Sequence, residues 1–508
     1  MVLINILGGI LLGISFPNRF IDNVSPIFAI IGLLFFFITI ENKSLKFKFL
    51  MFQVFSMTTL TLAIPWVPAA LESYLKIMYP INWISMYVLS IIFFPHMIIY
   101  FLINFKFPSI LKNTIMSAFI MSMLYYYVPN QFPLDISYLL LNYAPYVKGT
   151  QIFGMIGNTF FCYLLIFSLL KLIKEKKIEL LPLSATIIYI SLNIFFPIKY
   201  NHESNNDLKV RLVQPMIEPS IKDNAELNKK GLIPYVIKIY KKLSLENLPE
   251  NTDAIVLPET VVPQIIHPRM IQNGKMVYPK FIQEISKESK ANLIFGARTK
   301  SDTNHSYYFE PLYNSLMYLD TNLDLQGLYH KAKLLPFAET LPLGLIFRHE
   351  LSTYFPDITF MAVGDSLPIL KIKDFSFINI ICYESVDSKY IADYLNSTHE
   401  NIHFIMNITN DGYYARTSQL PQHHLVSTWR SIEFNIPMIR VDNVGISSVI
   451  YPDGSTSKQI PANTSGYLDV TAKINERDKT IYQIYGILPL IILFILLYLI
   501  HKFFFRNT

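Results

Sequence analysis

Apolar residues gather in two blocks, residues 1–198 and 482–504, and the stretch between them mixes short apolar runs with acids, histidines and turn residues. A bilayer core takes about 20 mostly apolar residues per helix. On that length the first block predicts seven membrane spans, at roughly 2–16, 24–40, 49–70, 81–105, 109–128, 151–170 and 178–198. The second block predicts an eighth at 482–504. The first span is short, and it lacks the basic stretch that opens a cleaved signal peptide. With a cytoplasmic N-terminus, the cytoplasmic connections hold eleven basic residues, among them Lys43, Lys106, Lys112 and the run Lys171–Lys177. The short loops on the other side hold three, Arg19, Lys76 and Lys148. That imbalance sets the orientation. It puts residues 200–480 outside the cytoplasm and both termini inside.

The middle region has a different period. Short apolar runs at 208–217, 253–258, 291–297, 374–381 and 402–408 predict strands, and 437–451 holds more. Residues 231–245 and 419–435 have helical spacing. Strands alternating with helices predict an α/β layered domain. The expected organisation is a transmembrane domain over 1–199, an extracytoplasmic domain over 200–480, and a final helix with a short tail over 481–508.

Composition narrows the function. Of 508 residues, 52% are hydrophobic and 16% charged, against roughly 25% charged in soluble domains. A large soluble protein and a disordered chain are both excluded. Two cysteines exclude a disulfide scaffold and a four-cysteine metal site. The net charge of +6 comes without a dense basic run, so nucleic acid is not an expected partner. HExxH and GxSxG are both absent. His96 sits in an apolar run and is expected to face neighbouring helices. The aromatic loop 129–150 is either an interfacial belt or a rim that admits lipid.

Three reactive residues close apolar runs or follow them: Glu259 in LPET, Lys331 in YHKAKLLPFAE and Cys382 in ICYES. Ends of strands are where α/β folds place ligands. Cys382 has no plausible disulfide partner, since the other cysteine, Cys162, lies in a predicted span. It is either a small buried hydrophobe or a nucleophile. A nucleophilic thiol needs a base and a nearby positive charge. Glu259 and Lys331 offer these, although Glu259 could instead start a helix, and Lys331 or Lys333 could be a solvated surface charge.

LPET, YHKAKLLPFAETLP, ICYES and NITNDGYY, in this order, resemble the carbon–nitrogen hydrolase (nitrilase) superfamily. Within the membrane frame they resemble its membrane-embedded branch, the apolipoprotein N-acyltransferases. VRLVQP at 210–215 and QHHLVSTWRSIEFNIPMIRVDNVGIS at 422–447 fit as well. The resemblance implies an αββα sandwich and a triad of Glu259 as base, Lys331 as the cation and Cys382 as nucleophile. Glu339, Tyr383 and Glu384 fall at supporting positions. Two departures stand out: Ala338 where the family has glycine, and Tyr413 where it often has tryptophan. Tyr413, Leu343 and Phe347 are substrate-contact candidates, and residues 340–365 are the expected apolar cover of Cys382.

The implied reaction moves an acyl chain from a phospholipid resembling phosphatidylethanolamine to the α-amino group of a diacylglyceryl-cysteine on an apolipoprotein, by ping-pong through a thioester. It implies no metal and no cofactor, a monomer, and a bacterial inner-membrane location. Two alternatives stand beside it. A membrane-tethered amidase would pass the acyl group to water. A transporter with an external binding domain would carry intramembrane charges, which these spans almost lack.

Overall fold

The computed structural model describes all residues except 19–23, 41–42, 76, 89, 129–131, 133, 204–206, 227–230, 268–277, 301–311, 337, 342–359, 415–416 and 505–508. The strands are β1 (Asp207–Gln214), β2 (Ala254–Val256), β3 (Asn292–Lys300), β4 (Leu312–Leu319), β5 (Leu325–His330), β6 (Leu370–Ile372), β7 (Phe375–Ile381), β8 (Phe404–Thr409), β9 (Met438–Asp442), β10 (Ser448–Ile450) and β11 (Gly466–Lys473). They form a six-stranded sheet, β11-β1-β2-β3-β4-β5, and a five-stranded sheet, β10-β9-β8-β7-β6. At the centre of each sheet three strands run parallel: β1, β2 and β3 in one, and β7, β8 and β9 in the other. Strands buried on both faces are mostly apolar, as FSFINII of β7 and FIMNIT of β8 illustrate.

The sheets pack face to face. Val210, Leu212, Val256 and Ile294 of the first share a core with Phe377, Ile380, Phe404 and Met406 of the second. On the outer face of the first sheet, helices Leu232–Leu245 and Lys280–Ser289 bury Val236, Tyr240, Phe281 and Ile285 against Val213, Ile255 and Phe295. Helices Ser388–Asn396 and Gln419–Phe434 cover the second sheet through Ile391, Leu395 and Phe434. The result is the expected helix–sheet–sheet–helix sandwich.

Helix Gln419–Phe434 is buried along its whole length. Its second face packs Leu425, Trp429 and Ile432 into the core of the N-terminal helices. Buried hydrogen bonds fasten that face. Gln422 Nε2 donates to the carbonyls of Pro17 (2.7 Å) and Ala63 (2.6 Å). Trp429 Nε1 donates to Tyr138 O (3.1 Å), and Met155 N donates to Glu433 (2.8 Å).

Met155–Glu175, 21 residues, is the one described helix long and apolar enough to cross a bilayer. Val2–Ser15, Pro26–Ile40, Thr114–Tyr127, Leu180–Phe195 and Leu488–Phe504 are shorter apolar helices. Four runs expected to be continuous are broken: those over 151–170 and 482–504 at Gly154 and Gly486, and two more at prolines. The run over 49–70 ends its helix at Ala63, just before Pro65, and a new helix spans Val67–Leu75. The run over 81–105 restarts at Pro95, the first residue of helix Pro95–Lys106. Proline has no N–H to continue a helix but suits a first helical position. His96, as expected, is buried among helices, beside Tyr125.

Arg211 is the strongest polar tie in the sandwich. It is fully buried, grips Asp469 of β11 with two hydrogen bonds of 2.7 Å, and stacks 3.9 Å over the Tyr467 ring. Its remaining N–H groups donate to the carbonyls that end helix Leu232–Leu245, including Glu246 O at 2.7 Å. Arg211→Leu would strand those acceptors, and breaking a buried pair from one side costs about 3–5 kcal/mol. A melting temperature several degrees below wild type in detergent is the expected result. An unchanged one would contradict this account of the tie.

Candidate active site

Three chain reversals meet at one end of the sandwich. Glu259 follows β2 in a turn whose next residue, Thr260, has φ +53°. Gly296 of β3 passes directly beneath: a Cβ there would lie 2.6 Å from Glu259 Cα and 2.4 Å from Thr260 N. Only glycine allows that approach. Lys331 follows β5, and its N–H donates to Asn314 O (2.8 Å). Cys382 follows β7 with φ +51° and opens the 3-10 turn Cys382–Val386. A cysteine in the left-handed region is strained, and such strain persists only where the surroundings impose it.

Glu384 supplies that constraint. Its carboxylate accepts from Ile381 N (2.7 Å), Ala332 N (2.7 Å), Lys333 N (2.9 Å) and the Tyr329 hydroxyl (2.7 Å). One buried side chain therefore locks the Lys331 turn to the Cys382 turn. Burial pushes its pKa up to about 7, against the pull of the Tyr329 and backbone donors.

The Lys331 ammonium, 1% exposed, sits 2.7 Å from Glu339 Oε2 and 3.7 Å from Glu259 Oε1. Asn314 Nδ2 donates to both carboxylates, at 2.5 Å to Glu259 and 2.8 Å to Glu339. Glu339 is itself held by Leu335 N (2.8 Å). Lys222 donates to the Glu259 carbonyl (3.2 Å). Burial raises the Glu259 pKa; Lys331 opposes the rise and Glu339 adds to it. Glu339 takes the close ion pair, which leaves Glu259 the less neutralised acid. Burial alone would lower the Lys331 pKa, but Glu339, Glu259 and Cys382 together raise it, so it stays charged. Burial and then Glu259 push the Cys382 thiol up, while Lys331 draws it down. Cys382 therefore rests as a thiol within electrostatic reach of the Glu259 carboxylate.

A second polar group lies on the other side of the cysteine. Donor atoms of Cys382, Asp411 and His423 fall within 4.8 Å of one another, a set chemically suited to a metal ion. Both nitrogens of His423 already have partners in the protein. Nδ1 meets Asp411 (2.8 Å); Nε2 meets the Ser385 hydroxyl (3.0 Å) and the Cys382 carbonyl (3.2 Å). Arg440 bridges Asp411 (3.1 Å) and Asp442 (2.9 Å). Burial, then Arg440, lowers the His423 pKa to about 3. Both His423 nitrogens thus tie the helix Gln419–Phe434 to the cysteine turn and to Asp411.

Glu259, Lys331, Cys382, Glu339 and Glu384 thus come together, all buried or nearly so. Lys333 does not: it is 47% exposed and pairs with Asp387. Tyr383 is half-buried, lies within electrostatic reach of Lys331 and lines a cavity beside the ion pairs. Of the substrate-contact candidates, Tyr413 is half-buried, and Leu343 and Phe347 lie outside the described residues. The end of the expected cover is described: Met361 N donates to Glu339 O (2.9 Å) and Gly364 N to Lys331 O (2.8 Å). Sequence reasoning missed Asn314, Asp411, His423 and Tyr414. Tyr414 is buried, within electrostatic reach of Cys382, and packs edge-on against Trp66 of the helical region, ring centroids 5.3 Å apart. Buried asparagine and serine inside the apolar strand LYNSLMYL were the available signal for Asn314.

The carbon-nitrogen hydrolase family profile matches residues 209–482. The chain belongs to the carbon-nitrogen hydrolase family. Glu259, Lys331 and Cys382 all fall inside the matched stretch. Curated relatives named apolipoprotein N-acyltransferase are similar to this chain. One from Rickettsia prowazekii is 28% identical over 70% of this chain and 68% of its own. One from Haemophilus influenzae is 28% identical over 71% and 67%. One from Pasteurella multocida is 24% identical over 90% and 86%. Others align over less of their own length, 62% for the Rickettsia typhi protein. Among solved structures, an amidase from Nesterenkonia sp. matches at 12% identity with a TM-score of 0.36, over 54% of this chain and 92% of that one.

Proposed function

We propose that this chain is an apolipoprotein N-acyltransferase that uses Cys382 as its acyl carrier. The observation that carries this is the Pasteurella multocida alignment, which extends over 90% of this chain and so takes in helices as well as the hydrolase region. In this reading Cys382 sulfur attacks an ester carbonyl of a phospholipid while Glu259 takes the thiol proton. Lys331 and backbone N–H groups near Cys382 stabilise the oxyanion. The ester C–O bond breaks, Glu259 returns the proton to the leaving oxygen, and a lysophospholipid departs. The neutral α-amine of a diacylglyceryl-cysteine then attacks the thioester. Its proton passes by way of Glu259 to the sulfur, an amide forms, and the thiol is restored.

The helices are proposed to form a multi-pass domain over 1–199, with the catalytic region over 200–480 outside the cytoplasm and the segment 481–508 returning inside. Support comes from apolar faces that point outward. Ile188 and Phe195 of helix Leu180–Phe195 are 57% and 77% exposed, and Leu496 of the last helix is 53% exposed. Soluble monomers seldom display such contiguous surface. Both substrates are lipids, whose tails would cost about 0.8 kcal/mol per CH₂ to lift into water. A monomer at the membrane surface suffices for the chemistry.

The test is to incubate the detergent-purified protein with phosphatidylethanolamine and a synthetic diacylglyceryl peptide. N-acylated peptide and lysophospholipid should appear in equal amounts. Free fatty acid without acylated peptide would point to a hydrolase. Because attack needs Glu259 unprotonated, and burial holds its pKa above the ordinary 4.5, acyl-enzyme formation should fall as pH drops through that raised value. An acid limb at or below pH 4.5 would contradict the base assignment.

A further inference from the structure

Asn314 links Lys331, Glu259 and Glu339 without being charged itself. Its main-chain oxygen accepts from Lys331 N (2.8 Å). Its side-chain NH₂ donates to Glu259 Oε1 (2.5 Å) and to Glu339 Oε1 (2.8 Å). The residue sits inside β4, opposite Arg298 of β3, and β5 pairs with β4 on the other side. Glu259 and Glu339 sit in turns. A side chain carried on a paired strand is placed more precisely than one on a turn. The amide is therefore the fixed member, and the carboxylates are what it fixes.

The amide orientation leaves one atom stranded. Asn314 is buried, and among the described residues its Oδ1 has no hydrogen-bond partner. Buried acceptors are nearly always satisfied, and one that is not calls for a reason. Here the reason is the two acids: turning the amide over would aim Oδ1 at carboxylates that can only accept. A leucine in this place would strand no acceptor, so packing alone does not call for an asparagine. The charges do. Lys331 lies closer to Glu339 Oε2 (2.7 Å) than to Glu259 Oε1 (3.7 Å). Lys331 and Lys222 favour the ionised form of Glu259, and Glu339 opposes it. Cys382 and Asp411 also lie within electrostatic reach of Glu259. The hydrogen bond from Asn314 adds to the side that favours ionisation. It falls on Oε1, the same oxygen that faces Lys331.

We propose that Asn314 is a positioning residue that keeps Glu259 ionised beside Glu339 and clamps its Oε1, so that Oε2 is the oxygen that takes the thiol proton. The proposal deepens the acyltransferase reading and rests on it only for the role of Glu259 as base. The same transfer of the Cys382 S–H proton to Glu259 precedes attack on any ester. Without the amide, Glu259 takes up a proton at a higher pH and is then unable to accept one from the thiol.

The test follows acylation of Cys382 by p-nitrophenyl butyrate in the full-length protein in detergent. The readout is the mass gain of the intact protein against pH, with the gain of Cys382→Ala subtracted. Asn314→Leu should move the acid limb upward by about one pH unit, which lowers the rate at the wild-type midpoint about fivefold, and the rate should recover toward wild type on the plateau. Asn314→Asp, with the same shape and a third acid in place of the donors, should move the limb further up. Melting curves are recorded alongside, and both variants should stay folded. An acid limb that does not move in a folded variant, whatever happens to the rate, would overturn the proposal. Loss of folded protein in both variants would also overturn it, by making Asn314 a residue the fold itself requires. Limbs that move as predicted with the nitrophenyl ester, in a protein that phosphatidylethanolamine never acylates, would instead sink the acyltransferase reading and leave the role of Asn314 standing.

Discussion

Lys331→Met should lower acyl-enzyme formation by a factor of about a thousand. The ammonium is the one positive charge shown between Glu259 and Glu339, at 3.7 Å and 2.7 Å. Without it two buried carboxylates face each other across Asn314, and one must take up a proton. That disables the base at the same stroke as it removes the charge opposite the oxyanion. Lys331→Arg keeps the charge, but the planar fork does not match a site shaped for a point charge, so little rescue is expected. Lys333→Met is the internal control. Its side chain is 47% exposed, and its removal should change the rate less than about twofold. Equal losses in Lys331→Met and Lys333→Met, read from the burst of acylated protein, would contradict the assignment.

Glu384→Gln should be nearly as damaging, by a different route. The carboxylate accepts from three backbone N–H groups and a tyrosine hydroxyl. A glutamine has one acceptor oxygen, and its NH₂ would point at donors. With its oxygen at the Oε1 position glutamine keeps the Ala332, Lys333 and Tyr329 bonds, but its NH₂ then faces Ile381 N, so one hydrogen bond becomes a donor–donor clash within a buried site, about 1–3 kcal/mol. The Lys331 and Cys382 turns then separate, and a drop of about a hundredfold in acylation is expected. A thermal melt distinguishes the routes: Glu384→Gln should lower the melting temperature along with the rate. A stable, fully active Glu384→Gln protein would show that the link between the turns is dispensable.

Much of this was legible from residue order. Central strands such as β2, β7 and β8 are largely apolar on both faces, so their runs stand out, and Glu259 and Cys382 follow such runs. Other strands were hidden. β5 carries Gly327 and exposed positions, and β11 alternates Asp469 and Thr471 with apolar residues along the sheet edge. Edge strands face solvent on one side and lose the continuous apolar signal. The break at Pro95 was visible as a residue, but the flanking apolar run outweighed it. The polar group around Asp411, His423, Arg440 and Asp442 could not be foreseen, because its members come from β9, a helix and a turn, and spacing in sequence says nothing of their convergence.

The central claim is that Cys382 carries the acyl group between two lipids. The most direct measurement is intact mass spectrometry of the purified protein after exposure to phosphatidylethanolamine, with Cys382→Ala alongside. The predicted result is a mass gain of one acyl chain in the wild type only, stable in buffer and cleared when diacylglyceryl peptide is added. An adduct that forms equally on Cys382→Ala, or that clears as fast in buffer alone as with peptide, would contradict it.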